Sequence, residues 1–296
     1  MDEETLDKYV KAGQIAAQAR EYGRGLVKAD AKIIDVARAI EKKITELGGI
    51  PAFPVNISFD ETAAHDTAGP NDERSFGERL IKLDVGVHVD GFVGGDTAIT
   101  IDLSRKYTEL VKASQEALEA AIKTVQIGAT CGEIGKAIEE TIMGFGLKPV
   151  RNLSGHGIGE NLIHGSPSIP NYDNKDQTQL SDGMTIAIEP FATDGMGLIH
   201  EKGQALIHSQ VLRKPVRNAI TRQVITQIEG YRGMPFATRW LSEKIPLFKV
   251  NYALKELNQL GMLHSYPPLV ERGNGMVSQA EHSIYVGDKV KILTKL

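Results

Sequence analysis

Residues 83–98 read LDVGVHVDGFVGGDTA, a stretch rich in valine and glycine that predicts a β-hairpin. Asp90-Gly91 lies between β-branched flanks and is a typical hairpin turn signal, so Asp90 is expected to face solvent. Asp84 and Asp96 are harder to place, because they lie among apolar residues on the two strands. A buried carboxylate is costly unless it is protonated, paired or bound to a metal. The hairpin therefore carries two acids that need partners from elsewhere in the chain.

The composition is that of an ordinary globular chain. Its 296 residues are 41% hydrophobic and 24% charged, and the formal net charge of −4 gives no global basic field for nucleic acid or a membrane. The N-terminus lacks the basic and apolar regions of a secretory signal, and no stretch approaches the roughly 18 apolar residues of a membrane span. The single cysteine, Cys131, excludes an intrachain disulfide and a cysteine-based zinc cage. These features predict a soluble, cytoplasmic protein with no membrane partner.

A weak internal repeat organises the chain. Residues 27–51, VKADAKIIDVARAIEKKITELGGIP, align without a gap on residues 125–149, VQIGATCGEIGKAIEETIMGFGLKP, at a constant offset of 98. Each copy has apolar residues at helical spacing and stops at glycine followed by proline. Each copy also follows a further helical stretch, at about residues 4–22 and 107–124. The repeat predicts two similar α/β halves, although two unrelated amphipathic helices can also align this well.

Sequence typical of β-strands follows each helical pair, with one interruption. The first half continues as PVNISFDETAAH and then the hairpin, and the second as NLSGHGIG, GMTIAIEPFAT and SQAEHSIYV. Between about Val211 and Tyr266, helical periodicity returns in RNAITRQVITQIEG and FKVNYALKELNQLGMLH. We therefore predict that residues 212–266 form an inserted, mainly helical subdomain within a catalytic domain that spans residues 1–296.

Five polar side chains lie within these β segments, each among apolar or small neighbours. Four carboxylates could neutralise one another only by sharing protons, whereas two divalent cations would balance them charge for charge. A set of carboxylates and an imidazole suits hard to borderline metals. A dinuclear site with ions about 3.5 to 4 Å apart is one interpretation, and helix capping or ion pairing are the alternatives. The five residues are Asp84, Asp96, His156, Glu189 and Glu281.

The order of the motifs resembles that of one known family. DVGVHVDGF, GDTA, NLSGHGIG, IAIEPFAT and QAEHS resemble, in this order, the metal-site motifs of the methionine aminopeptidases. AFPVNISFDETAAHDT resembles the family segment that carries a substrate-side histidine. The insertion before the last motif is similar to that of type II enzymes, and the lack of a long N-terminal extension resembles the archaeal ones. The resemblance covers essentially the whole chain and implies an α+β pita-bread (creatinase/aminopeptidase) fold, with a dimetal centre between two pseudo-symmetric halves.

The resemblance implies a role for each of the five donors. Asp84 and Asp96 would be the hairpin ligands, with Asp96 bridging both ions. His156 and Glu189 would bind one of the ions, and Glu189 would also exchange protons with the water that the ions activate. Glu281 would be the second bridging ligand. The identity of the ions stays open, because cobalt, manganese, iron(II) and zinc all suit such ligands.

The same resemblance implies a substrate site. His164 resembles the family histidine that steadies the scissile carbonyl, and His65 resembles the one near the substrate backbone. By position, the residues that match the methionine pocket are Phe53, Pro54 and Ile163. The implied activity is removal of the N-terminal methionine from nascent or newly made polypeptides with a small second residue.

The hairpin departs from the family pattern at one point. Asp84 and Asp96 lie twelve residues apart, where the family typically has one residue fewer. Since side chains alternate along a strand, one extra residue would turn Asp96 away from the site. A β-bulge absorbs one residue, and glycine suits its unusual dihedral angles. We predict a bulge at Gly94-Gly95 that keeps Asp96 facing the site.

Two other functions fit parts of the sequence. A proline-specific peptidase shares the implied fold, but usually has a large additional N-terminal domain for which residues 1–50 are too short. A non-catalytic pita-bread protein that binds RNA or ribosomes would typically have lost ligands and gained basic segments. This chain keeps all five ligand types and is net acidic, so the sequence favours a peptidase with no specific nucleic-acid partner. The expected form is a monomer. Within the insertion, RKPVRNAITR fits a contact with a ribosome or a nascent chain, but the pattern favours a solvated basic face.

Overall fold

Pairs of helices alternate with runs of short strands, in a computed structural model that describes residues 1–296. The helices are α1 (Glu3–Leu26), α2 (Ile33–Glu46), α3 (Thr108–Thr124), α4 (Cys131–Gly144), α5 (Ala219–Ile228), α6 (Thr238–Ser242) and α7 (Leu247–Gln259), with a 3-10 turn at Glu229–Tyr231. The strands before α3 are β1 (Ile50–Pro51), β2 (Asn56–Phe59), β3 (Thr62–Ala64), β4 (Leu80–Val89) and β5 (Phe92–Asp102). The later strands are β6 (Lys148–Pro149), β7 (Ser154–Gly159), β8 (Leu162–Pro170), β9 (Thr185–Ile188), β10 (Phe191–Thr193), β11 (Ile199–Glu201), β12 (Ile207–Gln210), β13 (Phe236–Ala237), β14 (Leu263–Tyr266), β15 (Leu269–Glu271), β16 (Val277–Gln279), β17 (His282–Tyr285) and β18 (Lys291–Ile292).

The predicted repeat is present in the fold. The bounds of α2 and α4 differ by 98 residues at both ends, and so do those of β1 and β6. Val27 and Val125 are the C-caps of α1 and α3. Gly48 and Gly146 both have positive φ, the left-handed conformation that glycine adopts where a helix ends. The sequence repeat therefore reflects two copies of one helix–helix–strand unit rather than a chance alignment of amphipathic helices.

Each half contributes one main antiparallel sheet, and the two sheets meet at a seam. In the first half β4 pairs with β1, β2 and β5, and in the second the strand order is β18-β17-β9-β7-β8. At the seam the Asp96 backbone N–H donates to Ser283 Oγ at 2.8 Å, and Ser283 Oγ donates to the Asp96 carbonyl at 2.9 Å. The Glu281 backbone N–H donates to the Ala98 carbonyl at 3.0 Å. These bonds bring Asp96 of the first half next to Glu281 of the second.

Helices cover one face of each sheet. In the first half Ile40 of α2 and Leu83 of β4 share an apolar core, and in the second Ile138 of α4 and Ile186 of β9 share another. Since successive side chains of a strand point to opposite faces, the residue after Leu83, Asp84, points away from this core. The uncovered faces are left to line the space between the halves. None of the helices has the length and apolar character needed to span a membrane.

Residues 212–266 form a mainly helical unit that encloses an apolar core of its own. The unit is fixed to α2, because fully buried Arg239 forms an ion pair with Glu41. Trp240 Nε1 also donates to Glu41 Oε2, at 2.9 Å. The division into a catalytic domain and an inserted subdomain stays a prediction, but the helices lie where the sequence periodicity places them.

The predicted bulge in the hairpin is present. Pairing between β4 and β5 shifts between Val87 and His88, so that Gly94 on β5 has no partner on β4. Beyond the bulge, Asp96 and Asp84 line the same cavity. The extra residue of the hairpin is therefore absorbed, and Asp96 keeps its orientation.

The reason for glycine in the bulge differs from the predicted one. Neither Gly94 nor Gly95 has a positive φ, so the bulge does not need the dihedral freedom of glycine. A Cβ on Gly94 would lie 2.0 Å from the Tyr9 carbonyl oxygen, and one on Gly95 would lie 2.5 Å from Ala16 Cβ. Glycine is required here because α1 crosses directly over the bulge.

We expect Gly94→Ala to lower the free energy of unfolding by about 1–3 kcal/mol, because the added methyl group must push α1 away from β5. Urea denaturation followed by circular dichroism measures the change. Gly25→Ala is the matched control within α1, since its added Cβ would meet no atom within 4 Å and helix propensity alone should leave the stability unchanged or raise it. A Gly94→Ala protein as stable as the wild type would contradict close packing of α1 on the bulge.

Candidate metal centre and substrate cleft

A cavity of about 220 Å³ lies between the two halves of the fold. Both main sheets contribute to its wall, and so does the insertion, through Pro235 and Tyr266. Nineteen residues from distant parts of the chain line it, which is typical of a binding site rather than a packing defect. The predicted site residues that line it are Phe53, His65, Asp84, Asp96, His156, Ile163, His164, Glu189 and Glu281.

Each of the five predicted donors is placed by its own strand or strand end. Asp84 lies on β4, Asp96 on β5 and His156 on β7, whereas Glu189 follows β9 directly and Glu281 directly precedes β17. β9 pairs with both β7 and β17, so the three donors of the second half come from adjacent strands. The seam then brings the first-half donors against them.

The ring of His156 lies close to the acids without a hydrogen bond to any of them. Asp96, His156 and Glu281 each place a ligand atom within 4.8 Å of the others. His156 Nε2 lies 3.8 Å from Asp96 Oδ2 and 3.7 Å from Glu189 Oε1. Such separations are too long for hydrogen bonds, but they suit donors that each lie about 2 Å from a shared ion.

Burial and mutual repulsion set the protonation of the four acids. Loss of hydration, followed by repulsion from Asp96, raises the pKa values of Asp84, Glu189 and Glu281 well above their usual range. Burial also raises the pKa of Asp96 to about 7. Asp84 Oδ1 and Glu281 Oε2 are buried and accept no hydrogen bond. The four carboxylates therefore need added positive charge to be ionised together, and divalent cations fit this requirement.

The imidazole in this group is ready to act as a ligand. Burial lowers the pKa of His156 to about 3, so the ring is neutral at neutral pH. Its Nδ1 lies 3.3 Å from the Gly157 carbonyl oxygen, the kind of contact that fixes the tautomer of a ligating histidine. Nε2, which faces Asp96 and Glu189, is then the nitrogen with a free lone pair.

Three histidines and one tyrosine form an aromatic cluster beside the acids. The rings of His156 and His164 have centroids 4.7 Å apart, and the ring of Tyr266 lies 5.5 Å from that of His65 and 6.3 Å from that of His164. His65 has a φ of 64°, a strained conformation for this residue type that is common at functional sites. Loss of hydration, and then the nearby His164, lower the pKa of His65 to about 4. The His65 ring is therefore neutral and offers one donor and one acceptor.

Two of the three residues predicted for a methionine pocket line the cavity, and the third does not. Phe53 and Ile163 line the cavity and share an apolar cluster with Met234 of the insertion. Pro54 is buried and does not line the cavity. Its carbonyl instead accepts a hydrogen bond of 2.8 Å from Nδ2 of Asn56, which does line the cavity. Pro54 therefore supports the wall from behind, because its ring is turned into the protein.

Gln279 is a site residue that the motifs did not indicate. Its Nε2 lies 3.4 Å from Glu189 Oε2, and its side chain also hydrogen-bonds to Asp84. Gln279 thus links acids that come from opposite halves of the fold. The sequence held a signal for it, because it precedes Glu281 by two positions and residues i and i+2 of an extended segment share a face.

Known proteins resemble this chain over almost its whole length. Residues 7–215 match metallopeptidase family M24. The chain belongs to this family. A relative from Archaeoglobus fulgidus that bears the name methionine aminopeptidase is 45% identical over 290 residues, which are 97% of this chain and 97% of the relative.

Solved structures share the fold of this M24 chain. A methionine aminopeptidase from Thermotoga maritima has a TM-score of 0.73 at 23% identity, over 100% of this chain and 98% of that one. A thermophilic Arx1 has a TM-score of 0.86 at 16% identity, over 99% of this chain and 91% of that one. At these identities the likeness shows the fold alone. The predicted α+β pita-bread fold is confirmed.

Membership of family M24 indicates that the cavity is the site of a metal-dependent peptidase reaction. The chain is a metallopeptidase, which confirms the prediction of a hydrolase, and its family implies the use of divalent metal. The donor set fits that requirement, because it combines a neutral imidazole with four acids that repel one another. Two of these acids, Asp84 and Glu281, each have one buried oxygen without a hydrogen bond. The resemblance to archaeal methionine aminopeptidases is likewise confirmed.

Metal binding to this M24 site should release protons at pH 6. The raised pKa values keep carboxylates of the metal-free site protonated at that pH, and they must lose protons to act as ligands. His156 releases none, because its lowered pKa leaves the ring neutral already. Calorimetric titration with Mn²⁺ in two buffers of different ionisation enthalpy counts the protons, and we expect about one or more at pH 6 and fewer above about pH 8. Asp96→Asn should release fewer, and no release at pH 6 from the wild type would contradict the raised pKa values.

Removal of the Gln279 amide should weaken metal binding. We expect Gln279→Leu to lower Mn²⁺ affinity by about 10- to 100-fold, because Asp84 and Glu189 lose the group that orients them. Calorimetry gives the affinity, and the visible absorption spectrum of Co²⁺-loaded protein reports the ligand geometry independently. Thr193→Val is the matched control, since Thr193 is a fully buried polar residue on neighbouring β10 and lies outside the cavity. Equal affinity in both variants would show that Gln279 does not position the acids.

Proposed function

We propose that this M24 enzyme removes the N-terminal methionine from peptides and newly made proteins whose second residue is small. The observation that carries the proposal is the convergence of five donors from both halves on one cavity that also holds His65 and His164. The name shared by relatives at 41–45% identity over nearly the full chain, methionine aminopeptidase, supports this activity. The donors assigned to a pair of divalent ions are Asp84, Asp96, His156, Glu189 and Glu281.

Two ions are proposed because they balance four carboxylates charge for charge. Cobalt, manganese, iron(II) and zinc all suit this donor set, and cellular supply decides among them. When bound, such ions lower the pKa of a water molecule toward about 7 and polarise a carbonyl oxygen. Asp96 and Glu281, which meet at the seam, are the proposed bridging ligands. His156 and Glu189, 3.7 Å apart, are proposed to share one of the two ions.

Glu189 is the proposed proton carrier. Its Oε2 accepts a hydrogen bond from Gln279 and its Oε1 faces His156, so the carboxylate is held in one orientation at the cavity wall. From there it takes a proton from the attacking water and returns it to the amine that leaves. General acid–base work of this kind typically contributes about 10² to 10⁴ in rate.

His65 and His164 are proposed to bind the substrate backbone. Tyr266 packs edge-on against His65 and lies beside His164, which fixes both rings. Neutral His164 is placed to donate a hydrogen bond to the carbonyl oxygen of the scissile peptide, and His65 to contact the backbone that follows. Phe53 and Ile163 supply the apolar surface that an unbranched thioether side chain needs.

The proposed substrates place this enzyme where proteins are made. Nascent or newly made polypeptides are the partners, the cytoplasm is the compartment, and a monomer is the working form. Contact with the ribosome through RKPVRNAITR is part of this proposal, supported by the four basic residues in that segment.

Release of free methionine from a Met-Ala-Ser peptide tests the proposal. Chelated protein should release none, and added Mn²⁺ or Co²⁺ should restore release, as measured by chromatography of the products. Asp96→Ala should abolish the activity with every metal, and Glu189→Gln should lower kcat by about 10²- to 10⁴-fold. Asp90→Asn is the matched control, because Asp90 lies on the same hairpin but is exposed in its turn and tolerates asparagine at a φ of 53°. Folded wild-type protein that releases no methionine with any metal would overturn the proposed function.

A further inference from the structure

Charge is distributed unevenly between the insertion and the rest of the chain. Residues 212–266 contain nine Lys and Arg but only three Glu and no Asp, a net charge of +6. The remaining residues contain 25 basic and 35 acidic side chains, a net charge of −10. The whole-chain value of −4 conceals this contrast. One of these cations, Arg239, is buried and paired with Glu41, and the excess positive charge of the unit is of the kind that attracts a polyanion.

One side of α7 exposes two aromatic rings beside a lysine. Phe248 is 70% exposed and Tyr252 is 51% exposed, and Lys255 is exposed as well. Their spacing of four and three residues places all three on one side of the helix. The other side of α7, including Val250 and Leu254, is buried in the core of the insertion. The core of the insertion therefore leaves much of both rings uncovered.

The chain that enters the insertion lies against this side of α7. Tyr252 Oη accepts a hydrogen bond of 2.9 Å from Asn218 Nδ2, and Lys214 Nζ donates to the Leu260 carbonyl, just beyond α7, at 2.8 Å. The entering segment thus contacts Tyr252 and the C-terminal end of α7. We call this surface the basic face, and its exposed members are Arg213, Lys214, Arg217, Phe248, Tyr252 and Lys255.

The cations of the basic face have no acidic partners. Arg213, Arg217 and Lys255 form no salt bridge, and their side chains donate no hydrogen bond within the protein. The acid next to Lys255 on α7, Glu256, already accepts a hydrogen bond from the Thr221 hydroxyl. Three cations and two rings are therefore available to a ligand at once.

We propose that the basic face binds RNA with unpaired bases. Lys and Arg contact the phosphates while Phe248 and Tyr252 stack on exposed bases, a combination typical of surfaces that bind single-stranded nucleic acid. A lipid surface fits less well, because the apolar side of α7 is already buried and cannot enter a membrane. The choice of RNA over other polyanions rests on the proposed function, which places the enzyme beside the RNA-rich machinery that makes its substrates.

The position of the basic face explains what such binding achieves. α7 is followed by β14, and the last residue of that strand, Tyr266, lines the cavity. RNA on the basic face is therefore bound by the same unit that supplies Tyr266 to the cavity wall. The contact is one of backbone charge and stacking, so it needs no particular base sequence.

Fluorescence anisotropy with a labelled single-stranded RNA of about 20 nucleotides and mixed sequence tests the proposal on the full chain, between about 50 and 200 mM salt. Joint substitution of Arg213→Glu, Arg217→Glu and Lys255→Glu should weaken binding by about 10-fold or more. It should also reduce the slope of log affinity against log salt by about two, because each lost phosphate contact contributes about 0.7. Phe248→Ser with Tyr252→Ser should weaken binding about 10-fold at every salt concentration and leave the slope unchanged.

A matched control separates the basic face from net charge. Lys106, Lys148 and Lys291 are exposed, form no salt bridge and lie outside the insertion, so their joint change to Glu alters the charge equally. This control should keep RNA affinity within about 2-fold. An equal loss in the control, no RNA binding at about 10 µM protein, or tighter binding of the same sequence as a duplex would each overturn the proposal. Tighter binding of vesicles that contain phosphatidylserine would overturn it in favour of a membrane.

Methionine release from Met-Ala-Ser serves as an independent readout in the same proteins. It should be unchanged in all three multiple variants, because none of the substituted residues lines the cavity. Protein that binds RNA as described but releases no methionine would refute the proposed peptidase function and keep the RNA surface. Protein that releases methionine but binds no RNA would refute the RNA surface alone.

Discussion

The repulsion among four buried carboxylates is the constraint on which the rest of the structure depends. Asp96 and Glu281 come from different halves and stand side by side because hydrogen bonds of the Ser283 hydroxyl and of the Glu281 backbone join the two sheets. Without added positive charge the acids take up protons, which burial and repulsion both favour. The site is thus built at the expense of local stability, and the helices packed on the outer faces of both sheets offset that cost.

Much of this arrangement could be predicted from the sequence, because it follows from local periodicity. The offset of 98 residues recurs in helix and strand bounds, since apolar spacing and a glycine exit are local signals. The bulge at Gly94 could be predicted in the same way. Side chains alternate along a strand, so the extra residue between Asp84 and Asp96 has to be absorbed if both aspartates are to face the same side. The five donors could be singled out because a polar residue is conspicuous within an apolar strand.

What the sequence did not reveal depends on contacts between distant segments. Glycine in the bulge is explained by Tyr9, more than eighty residues earlier, and no local rule points to that helix. The same limit applies to Pro54, whose ring faces the protein, and to Tyr266, which periodicity places after a helix but not beside His65. The positive charge of the insertion was missed for another reason. Only the net charge of the whole chain was considered, and in that sum the acidic residues outside the insertion outweigh its basic ones.

The ion pair between Arg239 and Glu41 determines how firmly the insertion is held against the first half. Arg239 is fully buried and Glu41 nearly so, and loss of one partner of a buried pair costs about 3–5 kcal/mol, because the other is left as an uncompensated charge. Movement of the insertion away from α2 would have to break this pair and the hydrogen bond between Trp240 and Glu41 together. The part of the cavity wall that Pro235 and Tyr266 supply is therefore kept in place by a residue of the first half.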